Sequence, residues 1–155
     1  MNRILTSLFT ALFLAALATI ASAHELNTKT MVAAAGGQPF FAGSWRCTSG
    51  NLNITPEFGP WLTYRSQSNG NISHSFVYSD AVGGGWVNVG VDSSGGYWTM
   101  TSAGWQGNTM TYTGTYTNRG SARSQRQVIT RNGPNRMSIA IWRNGNLAGQ
   151  TSCTK

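Results

Sequence analysis

The sequence predicts an all-β protein: a single closed antiparallel up-and-down β-barrel of about eight to ten strands. Three observations predict it. Nine segments alternate apolar and polar residues with a period of two, the spacing at which side chains leave a strand on opposite faces. Short connections rich in Gly and Asn stand between them, and these residues tolerate the positive φ of tight hairpins. The only two cysteines, Cys47 and Cys153, fall in the first and last of those segments. A flat meander of this size would expose two edge strands; closing it removes both.

The chain opens MNRILTSLFTALFLAALATIASAHE. Arg3, an apolar run over residues 8–20 and the small residues ASA read as a signal peptide, residues 1–23, cut after Ala23. The run is short for a membrane-spanning helix, which needs ~20 residues, so no membrane span is expected. The mature protein is expected outside the cytoplasm, periplasmic or secreted. Residues 24–40 form a lead-in that has room for one helical turn near residues 31–35 before Gly36 and Gly37 stop it. Residues 41–155 form the barrel domain.

The strand segments run in order: SWRCTSGNLNI, WLTYRSQ, ISHSFVYS, GWVNVGVD, YWTMTSAGW, NTMTYTGTYT, SQRQVITR, RMSIAIWR and LAGQTSCTK. Their apolar positions give an expected inner face: Phe76 and Tyr78; Val87, Val89 and Val91; Trp98 and Met100; Met110, Tyr112 and Tyr116; Met137, Ile139 and Ile141. Ser75, Asn88, Thr99, Thr111, Thr113 and Ser138 alternate with them and are expected to meet water. Trp86 and Trp142 fall on the polar side of their strands. In SQRQVITR, Arg126 alternates with Val128 and Gln127 with Ile129, so either polar residue is a candidate to point inward. Gly114 interrupts the inner row of its strand, where a missing side chain eases bending or leaves room for a ring or a ligand.

Residues 24–155 carry ten Lys and Arg against four acids, with six arginines between positions 119 and 143. These are spread over strands and turns rather than gathered in a run, and with an export signal they do not point to nucleic acid. In an exported chain an even pair of cysteines reads as a disulfide, Cys47 to Cys153. The acids Glu25, Glu57, Asp80 and Asp92 show no paired spacing for acid/base work. The Gly-x-Ser-x-Gly, Walker and His-Glu-x-x-His patterns are absent. No catalytic residue, metal or cofactor is therefore assigned. His74 shares its face with Phe76 and Tyr78, either as a satisfied core histidine or as a polar group lining a cavity. The sequons Asn53-Ile54-Thr55 and Asn71-Ile72-Ser73 are used only on a eukaryotic secretory route.

Gly43, Ser44 and Trp45 form the Gly-x-Trp that begins the first strand of lipocalin-like, or calycin, barrels. The later order VGVDSSGGYWTMTSAGWQGNTMTYTGTYT, RSQRQVIT and NRMSIAIW resembles the small bacterial domains of unknown function grouped as DUF1579. The match of pattern covers most of residues 40–155. It implies a barrel with a central apolar cavity. In lipocalins a basic residue near the closing strand stacks on the Gly-x-Trp tryptophan, which here implies Arg143 on Trp45. Nitrobindin-like barrels hold haem through a histidine on a late strand, and no histidine follows His74. The residue set with which avidin-like barrels read biotin does not map onto this chain.

The leading functional reading is an exported binding module holding a small apolar or amphipathic molecule. His74, Tyr78, Trp98, Met100, Tyr112, Arg126 and Ile139 are the expected cavity-lining residues, with Arg126 meeting an anionic group. The alternative is a structural or protein-interaction module, a filled barrel that works through its arginine-rich outer surface with Trp86 and Trp142. An enzyme ranks third.

Overall fold

The computed structural model describes residues 38–57, 59–79 and 85–155. The expected signal peptide and the helical turn near residues 31–35 lie outside them. One helical turn, α1 (Gln38–Phe41), leads into eleven strands. These are β1 (Gly43–Cys47), β2 (Gly50–Pro56), β3 (Trp61–Ser68), β4 (Asn71–Ser79), β5 (Trp86–Asp92) and β6 (Gly96–Ser102), then β7 (Trp105–Gln106), β8 (Thr109–Asn118), β9 (Ser121–Gly133), β10 (Arg136–Arg143) and β11 (Asn146–Thr154). No helix among the described residues is long and apolar enough to cross a membrane.

Ten strands form a closed up-and-down ring, as the alternation and turns predict. Chain neighbours pair antiparallel from β1 to β6, β6 pairs β8, the series continues to β11, and β11 returns to β1. The two-residue β7 lies outside the ring as an extra pairing on β8. Asn69-Gly70, Arg119-Gly120 and Asn144-Gly145 each place both turn residues at positive φ, as two-residue hairpins require. The SWRCTSGNLNI segment is two strands, folded at Thr48-Ser49. The ring closes on only two residue pairs, Arg46 with Thr154 and Cys47 with Cys153. The Cys47–Cys153 disulfide forms across this seam.

Inside faces follow the expected register on β6, β8 and β10. Met100, Met110, Tyr112, Tyr116 and Met137 are buried, and Thr99, Thr111 and Thr113 are exposed. On β4 and β5 the expected register is wrong by one residue. Phe76 and Val91 are exposed, while Ser75, Val77, Trp86 and Asn88 are buried. The valine row of β5 lies outside because Trp98 on the next strand dictates what faces it. Its indole N–H donates to Asn88 Oδ1 at 3.0 Å. Its ring lies over Gly90, where an added Cβ would come within 2.3 Å of the ring carbon Cζ2. In this register β5 turns Trp86 inward, almost fully buried, in place of the valine row, of which Val87 and Val89 stay half-buried and only Val91 is exposed.

On β9 the inward residues are Gln125, Gln127, Ile129 and Arg131; Arg126 is exposed, with its guanidinium 4.1 Å from the centre of the Trp142 ring. Gly114 lies on β8 against the β6 backbone. A Cβ there would sit 2.0 Å from the Thr99 carbonyl oxygen. Gln125 and Met100 are its cross-strand neighbours on either side, and Gln125 Nε2 reaches Met100 Sδ at 3.3 Å across the gap.

The half of the barrel nearest α1 is solid. Phe41, Trp45, Leu62, Val77, Trp86, Met110, Ile129 and Met137 form a continuous core with Phe40 and Trp105 packed against it. Trp45 Nε1 donates to the Phe41 carbonyl at 2.7 Å, tying the helical turn to the first strand. Trp105 stacks on Phe41 with ring centres 5.4 Å apart, and the Arg131 guanidinium covers Trp105 at 3.6 Å.

Tyr112 is fully buried and Thr113, its chain neighbour, is exposed. Tyr112→Ala should cost ~3 kcal/mol or more, the usual cost of truncating a buried aromatic, and Thr113→Ala within ~0.5 kcal/mol. Denaturant melts of the two variants measure both; a larger loss from Thr113→Ala would contradict the observed facing.

Candidate ligand-binding cup

The end of the barrel away from α1 is hollow. Its inner wall encloses a cup of ≈ 360 Å³ whose mouth lies among the hairpin turns. The wall follows from cross-strand rows. One row runs Tyr64, Ser75, Gly90, Trp98, Tyr116. The next runs Val77, Asn88, Met100, Gly114, Gln125, Arg143. Serines on the inner faces leave the space, and amides fill its walls. Ser66, Ser73, Ser75, Asn88, Gln125 and Gln127 face the cup, with Trp98, Ile139 and Ile141 as its apolar parts.

Charge enters at two places. The Asp92 carboxylate caps the β5–β6 turn, accepting from the backbone N–H of Ser94 at 2.9 Å, from Gly96 N–H at 3.0 Å and from the Ser94 hydroxyl. Its other oxygen accepts from Tyr116 Oη at 3.0 Å. Burial alone would raise the Asp92 carboxyl, but these hydrogen bonds outweigh it and hold the group below its ordinary value. The Arg143 guanidinium lies 3.6 Å from the centre of the same Tyr116 ring, and its Nε donates to Gln125 Oε1 at 2.9 Å. Tyr116 thus stands between acid and base: its hydroxyl serves Asp92 and its face carries Arg143. Gln125 is held in turn by Met100 Sδ, so the guanidinium is fixed from two sides.

Two tyrosines lie toward the floor. Tyr64 lines the cup and Tyr112 lies buried beneath it, and neither hydroxyl has a hydrogen-bond partner among the described residues. Burial pushes both phenols above their ordinary value, with Tyr112 adding to the effect on Tyr64, so both remain protonated.

The expected lining residues divide. Trp98 and Ile139 line the cup. Met100 and Tyr112 are buried behind its wall and floor. His74, Tyr78 and Arg126 lie on the outside of the barrel, a correction to the expected lining. The flipped register of β4 moves the first two, and stacking on Trp142 holds the third. The basic partner of Trp45 is also corrected. Lys155, not Arg143, covers it, with Nζ 4.5 Å from the ring and donating to the Phe40 carbonyl at 2.7 Å. Arg143 belongs to the opposite end of the barrel, one residue before the β10–β11 turn. Sequence reasoning missed Asn88, Gln125 and Arg143 as cup residues and left Gln127 open against Arg126. The alternation of Gln127 with Ile129, and of Arg143 with Met137, Ile139 and Ile141, carried that signal.

No family model matches this sequence, and no curated protein does.

The depressed Asp92 carboxyl fixes the sign of a pH effect. Its folded pKa lies below an unfolded value of ~3.9. The stabilisation it brings is therefore complete above that value and disappears as pH falls through the folded pKa. Between about pH 4.5 and 2.5, wild type should lose more stability than Asp92→Asn in denaturant titrations; parallel losses would contradict the assigned role.

Proposed function

We propose that this protein is an exported binding module that takes a small amphipathic molecule into the open half of its barrel. The observation that carries the reading is the guanidinium of Arg143 in the wall of the cup. It is positioned by Gln125 and Tyr116, while the Asp92 carboxylate is taken up by Ser94, Gly96 and Tyr116. An anionic or strongly accepting group of the ligand would meet Arg143. Its apolar part would lie against Trp98, Ile139 and Ile141, and the serines and amides would set its orientation. The wall is more polar than the apolar cavity that a lipocalin-like pattern implies, which favours amphipathic over wholly apolar molecules.

Export is supported by the opening residues and by the disulfide, since such bonds persist in oxidising compartments. A relation to the DUF1579 domains is supported by the ordered strand pattern and by the Gly-x-Trp that starts β1 in a closed barrel. The rival reading, a filled barrel working through its outer surface, has the solid half of the core on its side but gives the cup no role.

Native mass spectrometry of protein isolated from its source, followed by titration with the molecule retained, tests the proposal. Arg143→Gln should bind an anionic ligand at least ~10-fold more weakly, the loss of one charge-assisted hydrogen bond, with the fold kept. No retained molecule, together with no response of Trp98 fluorescence to amphipathic anions, would sink it.

A further inference from the structure

All but one of the large apolar side chains exposed among the described residues belong to one wall. They are Trp61, Ile72, Phe76, Val91 and Tyr97, on the outer face of β3 to β6; Leu147 is the exception. The register joins them. Trp61 faces Tyr78 with ring centres 4.8 Å apart, Phe76 faces Val89, and Val91 faces Tyr97. Phe76 is 50% exposed, Val91 56% and Tyr97 54%. The valine row of β5, displaced outward by Trp98, runs through the middle of this wall. Contiguous exposed apolar surface of this kind marks an interaction site.

Charge is segregated away from it. No Lys or Arg occurs between Arg65 and Arg119, so β4, β5, β6 and β8 carry neither; His74 lies on this face between Val91 and Arg65, the latter at its β3 edge. Of the six arginines from 119 to 143, on the β8–β9 turn, β9 and β10, Arg131 and Arg143 face the interior; β9 is separated from β6 by β8, and β10 lies opposite β4.

We infer that this wall is the interface of a two-fold homodimer, two copies packing their β4–β6 outer faces against each other. A two-fold interface sets one surface against itself, so it must be free of like-charge conflict. In a chain of net charge +7, the β4–β6 part of this wall meets that condition for lysine and arginine, with Arg65 at its β3 edge. Packed in this way, Arg136 on β10 stands across the barrel from the interface, and Arg123 and Arg126 on β9 are set off from it by β8. An anionic bilayer against the same wall would lie equally far from those arginines and would gain little from them. The area is adequate. With aromatic side chains of roughly 150–250 Å² each, the five residues present on the order of 500 Å² at their observed exposures. The half-buried Tyr78, Val87 and Val89 and the threonines between them bring the face toward the ~800 Å² per partner of a standard interface.

Sedimentation velocity of the folded, disulfide-intact protein over about 1 to 100 μM should show a reversible dimer. Phe76→Arg and Tyr97→Arg, on different strands, should each raise its dissociation constant at least ~10-fold, with circular dichroism unchanged. Arg136→Glu, on β10, should leave it unaltered. A monomer throughout that range would overturn the inference, as would a dimer indifferent to both Arg variants. Co-sedimentation of a monomer with anionic phospholipid vesicles would also overturn it, assigning the wall to lipid instead.

Discussion

The barrel depends on how its first and last strands meet. Every other neighbour in the ring of ten is held by a ladder of five or more residue pairs, whereas β1 and β11 share only two. Cys47 and Cys153 are one of those pairs, and the disulfide locks it. Just beyond, Thr48 N–H donates to the Ser152 carbonyl at 2.9 Å, and the hydroxyls of Thr48 and Ser49 lie 3.1 and 3.0 Å from Thr151 Oγ1. On the other side of the two-pair ladder, just past Thr154, Lys155 is bonded to the Phe40 carbonyl and lies over Trp45. A link between residues 106 apart constrains the unfolded chain by ~4–5 kcal/mol in the chain-entropy model, a large share of the stability of a domain this size. Without closure, β1 and β11 become edge strands with unpaired backbone groups.

Closure also explains why one end is solid and the other hollow. The Trp45 indole and the helical turn are tied together at the α1 end, where Phe40 and Phe41 enter the core beneath Trp86 and Trp105. At the far end the inner faces carry Ser66, Ser73 and Ser75, too small to meet in the middle. The polar groups that line that space are held by one another: Trp98 by Asn88, Arg143 by Gln125 and Tyr116, Tyr116 by Asp92. Amides and a guanidinium fixed in this way approach a ligand already oriented, which lowers the ordering cost of binding.

Much of this architecture was legible in the sequence. The Thr/Tyr alternation of β8, the Asn-Gly turns and the two cysteines each reflect a local rule, so they specified strand, hairpin and closure without knowledge of neighbours. The cup was less legible. Val87, Val89 and Val91 look like an inner face to any rule that scores residues singly. What turns them outward is the space Trp98 needs above Gly90 and the acceptor it needs at Asn88, both set by a neighbouring strand. Arg126 and Gln127 were indistinguishable by alternation alone. Trp142, opposite Arg126 on β10, decides between them by offering its ring as an outer partner. The Gly-x-Trp pattern implied a cation over Trp45 and named Arg143 for it, where Lys155 lies. Arg143 and Lys155 are both basic and both near the end of the chain, and only the register places one at each end of the barrel.

Amide hydrogen exchange of the native protein, with the disulfide intact and after its reduction, tests most directly whether the seam governs the fold. Reduction should lower protection first at Thr48, Cys153 and their neighbours on β1 and β11, while the long β8–β9 ladder keeps its own until global unfolding. Unchanged protection at the seam, or loss beginning in β8 and β9, would contradict it.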